Sequence, residues 1–174
     1  TIVLFIILSS LIVIVAIQNR KLKERVYLLT KTSDILQEED STFAFIANTL
    51  EGKTTTIDFN NGENKSLLYI YSAHCDACLY NFPTWVNLTD TLNNLKIKSI
   101  GISIDDRDKT EIFLSKFNPD FENFINADEK FLENYKASLT PQTILIDQNG
   151  KVLKTWVGVL SSYDLYSLFK RIKN

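Results

Sequence analysis

Ser66-Leu67-Leu68-Tyr69-Ile70-Tyr71-Ser72-Ala73-His74-Cys75-Asp76-Ala77-Cys78 is an apolar β-type run that ends on two cysteines three positions apart. They are the only cysteines in the chain. Two cysteines scattered over a chain this long fall at that spacing about once in ninety arrangements, so the pair invites a chemical reading. The segment from Cys78 to Asn94 reads as helix. A strand that delivers two cysteines to the start of a helix makes a dithiol able to open and close, which points to thiol–disulfide exchange.

Residues i and i+3 of a helix stand about 5–6 Å apart, inside the Cα separation of about 4.4–6.8 Å that a disulfide tolerates. The bond would close a very small loop, so a purely structural cross-link gains little stability from it. Zinc is the other alternative, but the chain offers two cysteines and one histidine, His74, and a full shell would need carboxylates such as Asp76. At a helix N-terminus, unpaired N–H groups and the helix dipole favour a thiolate, which makes Cys75 the attacking sulfur. Cys78, one turn inside, is then the resolving thiol. Asp76 opposes a neighbouring thiolate yet suits a first helical turn. His74 supports the Cys75 thiolate when protonated and otherwise packs or hydrogen-bonds.

The chain has 174 residues, 45% of them hydrophobic and 23% charged, with a formal charge of −2. That balance leaves no electrostatic footprint for nucleic acid. Ile2 to Ile17 is an almost unbroken apolar run, about 24 Å long as a helix and slightly short of a bilayer core. No small-x-small cleavage site follows it, so residues 1–18 read as an uncleaved transmembrane anchor. Residues 19–40 read as a polar helical stalk, and 41–174 as one folded domain with a core of its own. Arg20, Lys21, Lys23 and Arg25 favour a cytoplasmic flank, but long domains cross membranes largely regardless of charge. A dithiol domain on a stalk fits the side where disulfides form. The expectation is a single-pass protein of the cell (inner or cytoplasmic) membrane with its catalytic domain facing the periplasm or exterior. Leu22, Val26, Leu29, Ser33 and Leu36 make a heptad-like stripe. It reads either as a solvated stalk or as a weak dimer contact through residues 22–36.

Beyond the stalk the elements alternate. Phe43–Asn48 and Lys53–Phe59 read as a hairpin around Leu50-Glu51-Gly52. After the dithiol helix, with Pro83 expected to kink it, come a strand at Lys96–Ile104 and a helix at Lys109–Phe117. A short strand at Phe121–Asn126 and a short helix at Asp128–Lys136 follow. Thr143–Ile146 and Val152–Val157 flank a turn, and Ser161–Lys173 closes the chain as an amphipathic helix. The order implies an α/β fold with a central mixed sheet and helices on both faces.

That order, with Cys75-Asp76-Ala77-Cys78 on the first helix and Thr140-Pro141 opening a later strand, resembles the thioredoxin superfamily. It is most similar to the membrane-anchored thioredoxin-like proteins of the TlpA/ResA group. The matching pieces are Thr49-Leu50-Glu51-Gly52-Lys53, the block Tyr71 to Cys78 with Pro83 five residues on, and Tyr135 to Thr143 running into Ile146-Asp147. The resemblance implies a thioredoxin-like fold and a cis peptide bond before Pro141, packed against the active-site disulfide. It also implies that Thr140 offers backbone groups to the bound client. The expected site is Cys75, Cys78, Thr140 and Pro141, joined by His74 on the strength of its place beside Cys75, with no cofactor and no metal. The implied partners are client protein dithiols or disulfides and a membrane redox protein that recycles the enzyme.

Three positions depart from the family pattern. His74 stands where tryptophan usually precedes the first cysteine. Asn81 stands where the ResA-like branch often carries glutamate, and Tyr69 where cytosolic thioredoxins bury a carboxylate. The base that deprotonates Cys78 is therefore open among water, His74, Glu111 and Asp105. The leading expectation is a reductant of client disulfides. The alternatives are a copper-handling binding protein, for which the distant histidine of known examples is lacking, and a thiol peroxidase, for which the local threonine and arginine are lacking.

Overall fold

The computed structural model describes residues 13, 15–23, 35–60 and 62–173. The chain divides into two units, Thr1–Asp34 and Ile35–Asn174. In the first, Val13 and residues 15–23 are helical and exposed. Among the described residues, no helix is long and apolar enough to cross a membrane. Most of the apolar run read as an anchor, and residues 24–34 of the stalk, lie outside the described residues.

The second unit is built on seven strands: β1 (Phe45–Thr49), β2 (Thr54–Ile57), β3 (Ser66–Tyr71), β4 (Lys98–Ser103), β5 (Glu122–Ile125), β6 (Gln142–Ile146) and β7 (Val152–Val157). Four helices accompany them: α1 (Asp76–Asn94), α2 (Arg107–Leu114), α3 (Glu129–Asn134) and α4 (Ser162–Lys173). The sheet order is β2-β1-β5-β4-β3-β6-β7. β3 lies near the centre, parallel to β4 and antiparallel to β6. Its Leu67 to Tyr71 are all buried, as a strand covered on both faces requires.

Period-two alternation sends the side chains of β3 to two cores. Leu68 and Ile70 join Ile100, Ile102, Ile144, Phe45, Phe131 and Tyr135 on the face covered by α3. Leu67, Tyr69 and Tyr71 join Phe82, Trp85, Phe113, Leu145 and Leu168 on the face covered by α1, α2 and α4. This is the mixed sheet with helices on both faces that the element order predicts.

Several boundaries move for identifiable reasons. α2 starts at Arg107 because Asp106 caps it, accepting from the Lys109 N–H at 3.0 Å. Asp128 caps α3 in the same way through the Phe131 N–H at 3.0 Å. The first hairpin also pairs with β5, Asn48 opposite Ile125 and Thr49 opposite Phe124, a long-range contact no local pattern announces. The second unit begins at Ile35. Its first residues lie along β7, where the Glu39 N–H reaches the Val152 carbonyl and the Val152 N–H reaches that of Asp40, both at 2.9 Å. Leu36 is buried in the α3-side core, so this last member of the stripe is used inside the domain.

Helix α1 positions the dithiol. It buries Phe82, Trp85, Leu88 and Leu92, each contributing about 1.5–3 kcal/mol when withdrawn from water. It runs on through Pro83, whose ring leaves the Leu79 carbonyl without its usual helical donor. At its far end Lys96 takes φ 58°, while the Lys96 N–H bonds Asn93 and the Ile97 N–H bonds Leu92. Those paired bonds close the helix as a left-handed C-terminal cap.

Candidate active site

Cys75 is the residue just ahead of α1, with φ −98° and ψ 112°. Its sulfur accepts the Cys78 N–H at 3.1 Å, so a cysteine occupies the place where serine or aspartate usually caps a helix. The turn leading into it is held by the Cys75 N–H on the Ser72 carbonyl, 3.3 Å, and the His74 N–H on the Ser72 hydroxyl, 3.1 Å. Both cysteines are free thiols, Cys75 partly exposed and Cys78 buried.

The Thr140–Pro141 bond is cis. The Thr140 carbonyl accepts from Cys75 Sγ at 3.5 Å, which brings the loop before β6 against the dithiol. The Pro141 carbonyl is taken by the Gly158 N–H at 2.9 Å, tying that loop to the end of β7. Burial pushes the Cys78 thiol up to about 12, and the neighbouring Cys75 sulfur adds to the shift. The Ser72 backbone and the Thr140 side chain pull it partly back. The two sulfurs thus stand in different surroundings. One is reachable at a helix start and the other is desolvated behind it.

The three departures each find a structural use. Tyr69 is fully buried and stacks on Trp85 with ring centroids 4.5 Å apart, so this position serves packing and supplies no carboxylate. Burial holds the Tyr69 hydroxyl well above the ordinary tyrosine range. Asn81 is also fully buried; its Oδ1 accepts the Leu160 N–H at 2.9 Å, fastening α1 to the segment after β7. His74 is exposed, and its Nδ1 lies 3.1 Å from Asp105 Oδ1. The other Asp105 oxygen accepts the Ala73 N–H. Of the two carboxylates considered, Asp105 meets the dithiol turn, whereas Glu111 is exposed on α2.

Sequence reasoning missed the supports behind the site. The Trp85 Nε1–H donates to the Thr143 hydroxyl at 2.9 Å, joining α1 to β6 two residues past Pro141. The Tyr71 hydroxyl donates to Asn123 Oδ1 at 2.8 Å across Gly101, the one residue of β4 without a side chain to block it. Neither pair shows a periodic signal, because each joins residues more than fifty positions apart.

This fold, with its dithiol at a helix start beside a cis proline, is that of the thioredoxin superfamily. Residues 37–168 match the Redoxin family, and the chain belongs to it. It is similar to thiol-disulfide oxidoreductase ResA of Bacillus subtilis, 21% identical over 74% of this chain and 72% of the relative. It is also similar to ResA of Geobacillus thermodenitrificans, 24% identical over 74% of each chain. Among solved structures, the thioredoxin domain of a thiol-disulfide oxidoreductase from Bacteroides vulgatus superposes with a TM-score of 0.66 at 19% identity, covering 80% of this chain and 99% of the other. StoA from Bacillus subtilis gives 0.60 at 18% identity, over 73% and 96%.

Proposed function

We propose that this thiol–disulfide oxidoreductase reduces client disulfides from a membrane anchor, with its catalytic domain outside the cytoplasm. Cys75 attacks the client disulfide to give a mixed disulfide. Cys78 then displaces the client and leaves Cys75 and Cys78 joined. Thr140 and Pro141 hold the client chain beside Cys75, and a membrane redox partner returns the dithiol.

The observation that carries this reading is the asymmetry of the sulfurs: Cys75 caps α1 and meets the Thr140 carbonyl, while Cys78 is buried one turn behind. An attacking thiol has to be reachable, and a resolving thiol has to be shielded until the mixed disulfide forms. The reducing direction is supported by Asp76 and by the lack of a histidine between the cysteines, and the location by the apolar run Ile2–Ile17.

The test is trapping. A Cys78→Ala variant expressed in cells should accumulate client proteins disulfide-linked to Cys75, and a Cys75→Ala variant should not. Equal or absent capture by the two variants would refute the assignment of roles. Protease digestion of intact spheroplasts checks the location: the domain should be cut from outside, and protection would place it in the cytoplasm.

A further inference from the structure

The geometry points to a proton-handling dyad at the rim of the dithiol, in which Asp105 orients the imidazole of His74 and His74 exchanges a proton with the client's sulfur. The inference rests on the dithiol reading above and adds the group that serves the departing thiol.

Asp105 follows β4 directly, and its side chain is only 14% exposed. One oxygen accepts the Ala73 N–H and the other faces His74 Nδ1 at 3.1 Å. The Asp105 N–H is itself held by the Ser103 hydroxyl at 3.2 Å, so the carboxylate has a fixed seat. An ionised carboxylate only accepts hydrogen bonds, so the proton of this contact belongs on Nδ1. In the neutral ring that leaves Nε2 as a bare acceptor; in the charged ring Nε2–H is a second donor. The His74 side chain is 63% exposed and immediately precedes Cys75, so Nε2 is open to a chain docked there.

The other titratable groups around this turn are engaged, buried or, in the case of Asp76, an exposed carboxylate. Asp106 feels the charge of His74, but it caps α2 and takes Lys109 Nζ at 2.6 Å, which occupies both partners. The Tyr71 hydroxyl, which senses Asp105 from the end of β3, is bonded to Asn123. Cys78 is buried, and Asp76 is an exposed carboxylate on α1. His74 is the group left with a free nitrogen on the client side.

In the reducing direction Cys75 releases its thiol proton to water and, as the thiolate, attacks one client sulfur. The Cys75–client bond forms, the client S–S bond breaks, and its electron pair goes to the second client sulfur. The imidazolium Nε2–H then gives that sulfur its proton. Cys78 next gives its proton to water and attacks Cys75 Sγ. The Cys75–Cys78 bond forms, the Cys75–client bond breaks, and the first client sulfur leaves with the electron pair. It is protonated by His74, whose ring regains a proton from water after each transfer. The dithiol has lost two electrons and two protons, and the client has gained them.

Leaving-group dependence tests the dyad in the full-length protein. An alkyl thiol titrates near about 8.5 and gains from a proton donor, whereas an acidic aryl thiol departs without one. Reduction of a cystine-containing peptide and of dithiobis(nitrobenzoate) is compared at neutral pH. His74→Gln and Asp105→Asn should each lower the alkyl-to-aryl rate ratio about tenfold, below the usual range for general acids because the site is wet. The double variant should fall no further than either single one. His74 is the only histidine, so its ring nitrogens are directly resolved by nitrogen NMR. The neutral native ring should carry its proton on Nδ1, and Asp105→Asn, which puts an amide donor there, should move it to Nε2. An unchanged rate ratio, or a native ring protonated on Nε2, overturns the dyad. A native protein inert toward both disulfides overturns the dithiol reading itself, and the dyad with it.

Discussion

Raising the pH should expose the buried state of Cys78 in two ways. Its thiol is pushed from an ordinary 9.0 up to about 12, chiefly because burial disfavours the thiolate. Three units at about 1.4 kcal/mol each correspond to about 4 kcal/mol between the folded and unfolded environments. At neutral pH the thiolate fraction is then about one in a hundred thousand, against about one in a hundred for a free thiol. In Cys75→Ala, ultraviolet thiolate absorbance should titrate well above 9 and somewhat below 12, since the secondary contribution of Cys75 has gone. The same shift sets a stability limb. Between about 9 and about 12 the unfolded chain has lost a proton that the folded chain keeps, so stability falls as pH rises, by up to about 1.4 kcal/mol per unit. The contribution is complete below 9 and lost as pH approaches 12. Tyr69, Tyr71 and Tyr135, also raised by burial, steepen the loss above pH 10 in any variant. The informative quantity is therefore the difference in slope between the native protein and Cys78→Ala, read from denaturant melts at successive pH values. Equal slopes, or a Cys78 midpoint near 9, would refute the reasoning.

Three further substitutions test the supports around the site. In Gly101→Ala the new Cβ runs into Asn123 Oδ1 and comes within 3.1 Å of the Phe121 ring, so urea melts should show a loss of about 1–3 kcal/mol. Thr143→Val strands the buried Trp85 Nε1–H and should cost about 1–3 kcal/mol, while Thr143→Ser, which keeps an acceptor, should cost clearly less in the same melts. Lys96→Gly relieves a left-handed residue on an exposed cap and should raise stability by about 0.5–1 kcal/mol in thermal scans, without changing dithiol reactivity.

The parts of this molecule visible in its sequence are those fixed by local chemistry. A continuous apolar run marks β3 and isoleucines at every second position mark β4, the Cys-x-x-Cys spacing marks the turn into α1, and Thr140-Pro141 marks the loop that meets it. The cap residues Asp106 and Asp128 were legible as helix starters only to within two residues, because a cap is recognised by the bond it makes. What stayed hidden depends on chain segments meeting from afar. Asp105 is, in the sequence, no more than one of several candidate bases for Cys78, and only folding sets it against Ala73 and His74. Asn81 looked like a missing glutamate, whereas its amide fastens α1 to Leu160. Leu36 followed the spacing of a stalk stripe, yet its neighbours bond to β7 and its side chain enters the core.

The two sulfurs should equilibrate as one pair when the purified protein is held in glutathione buffers of graded potential and quenched for mass analysis. The account predicts reversible conversion between a free dithiol and a single Cys75–Cys78 disulfide, following a two-electron curve, with no such species in either single cysteine variant. Thiols that never join each other at any potential, or that end only as separate glutathione adducts, would contradict it.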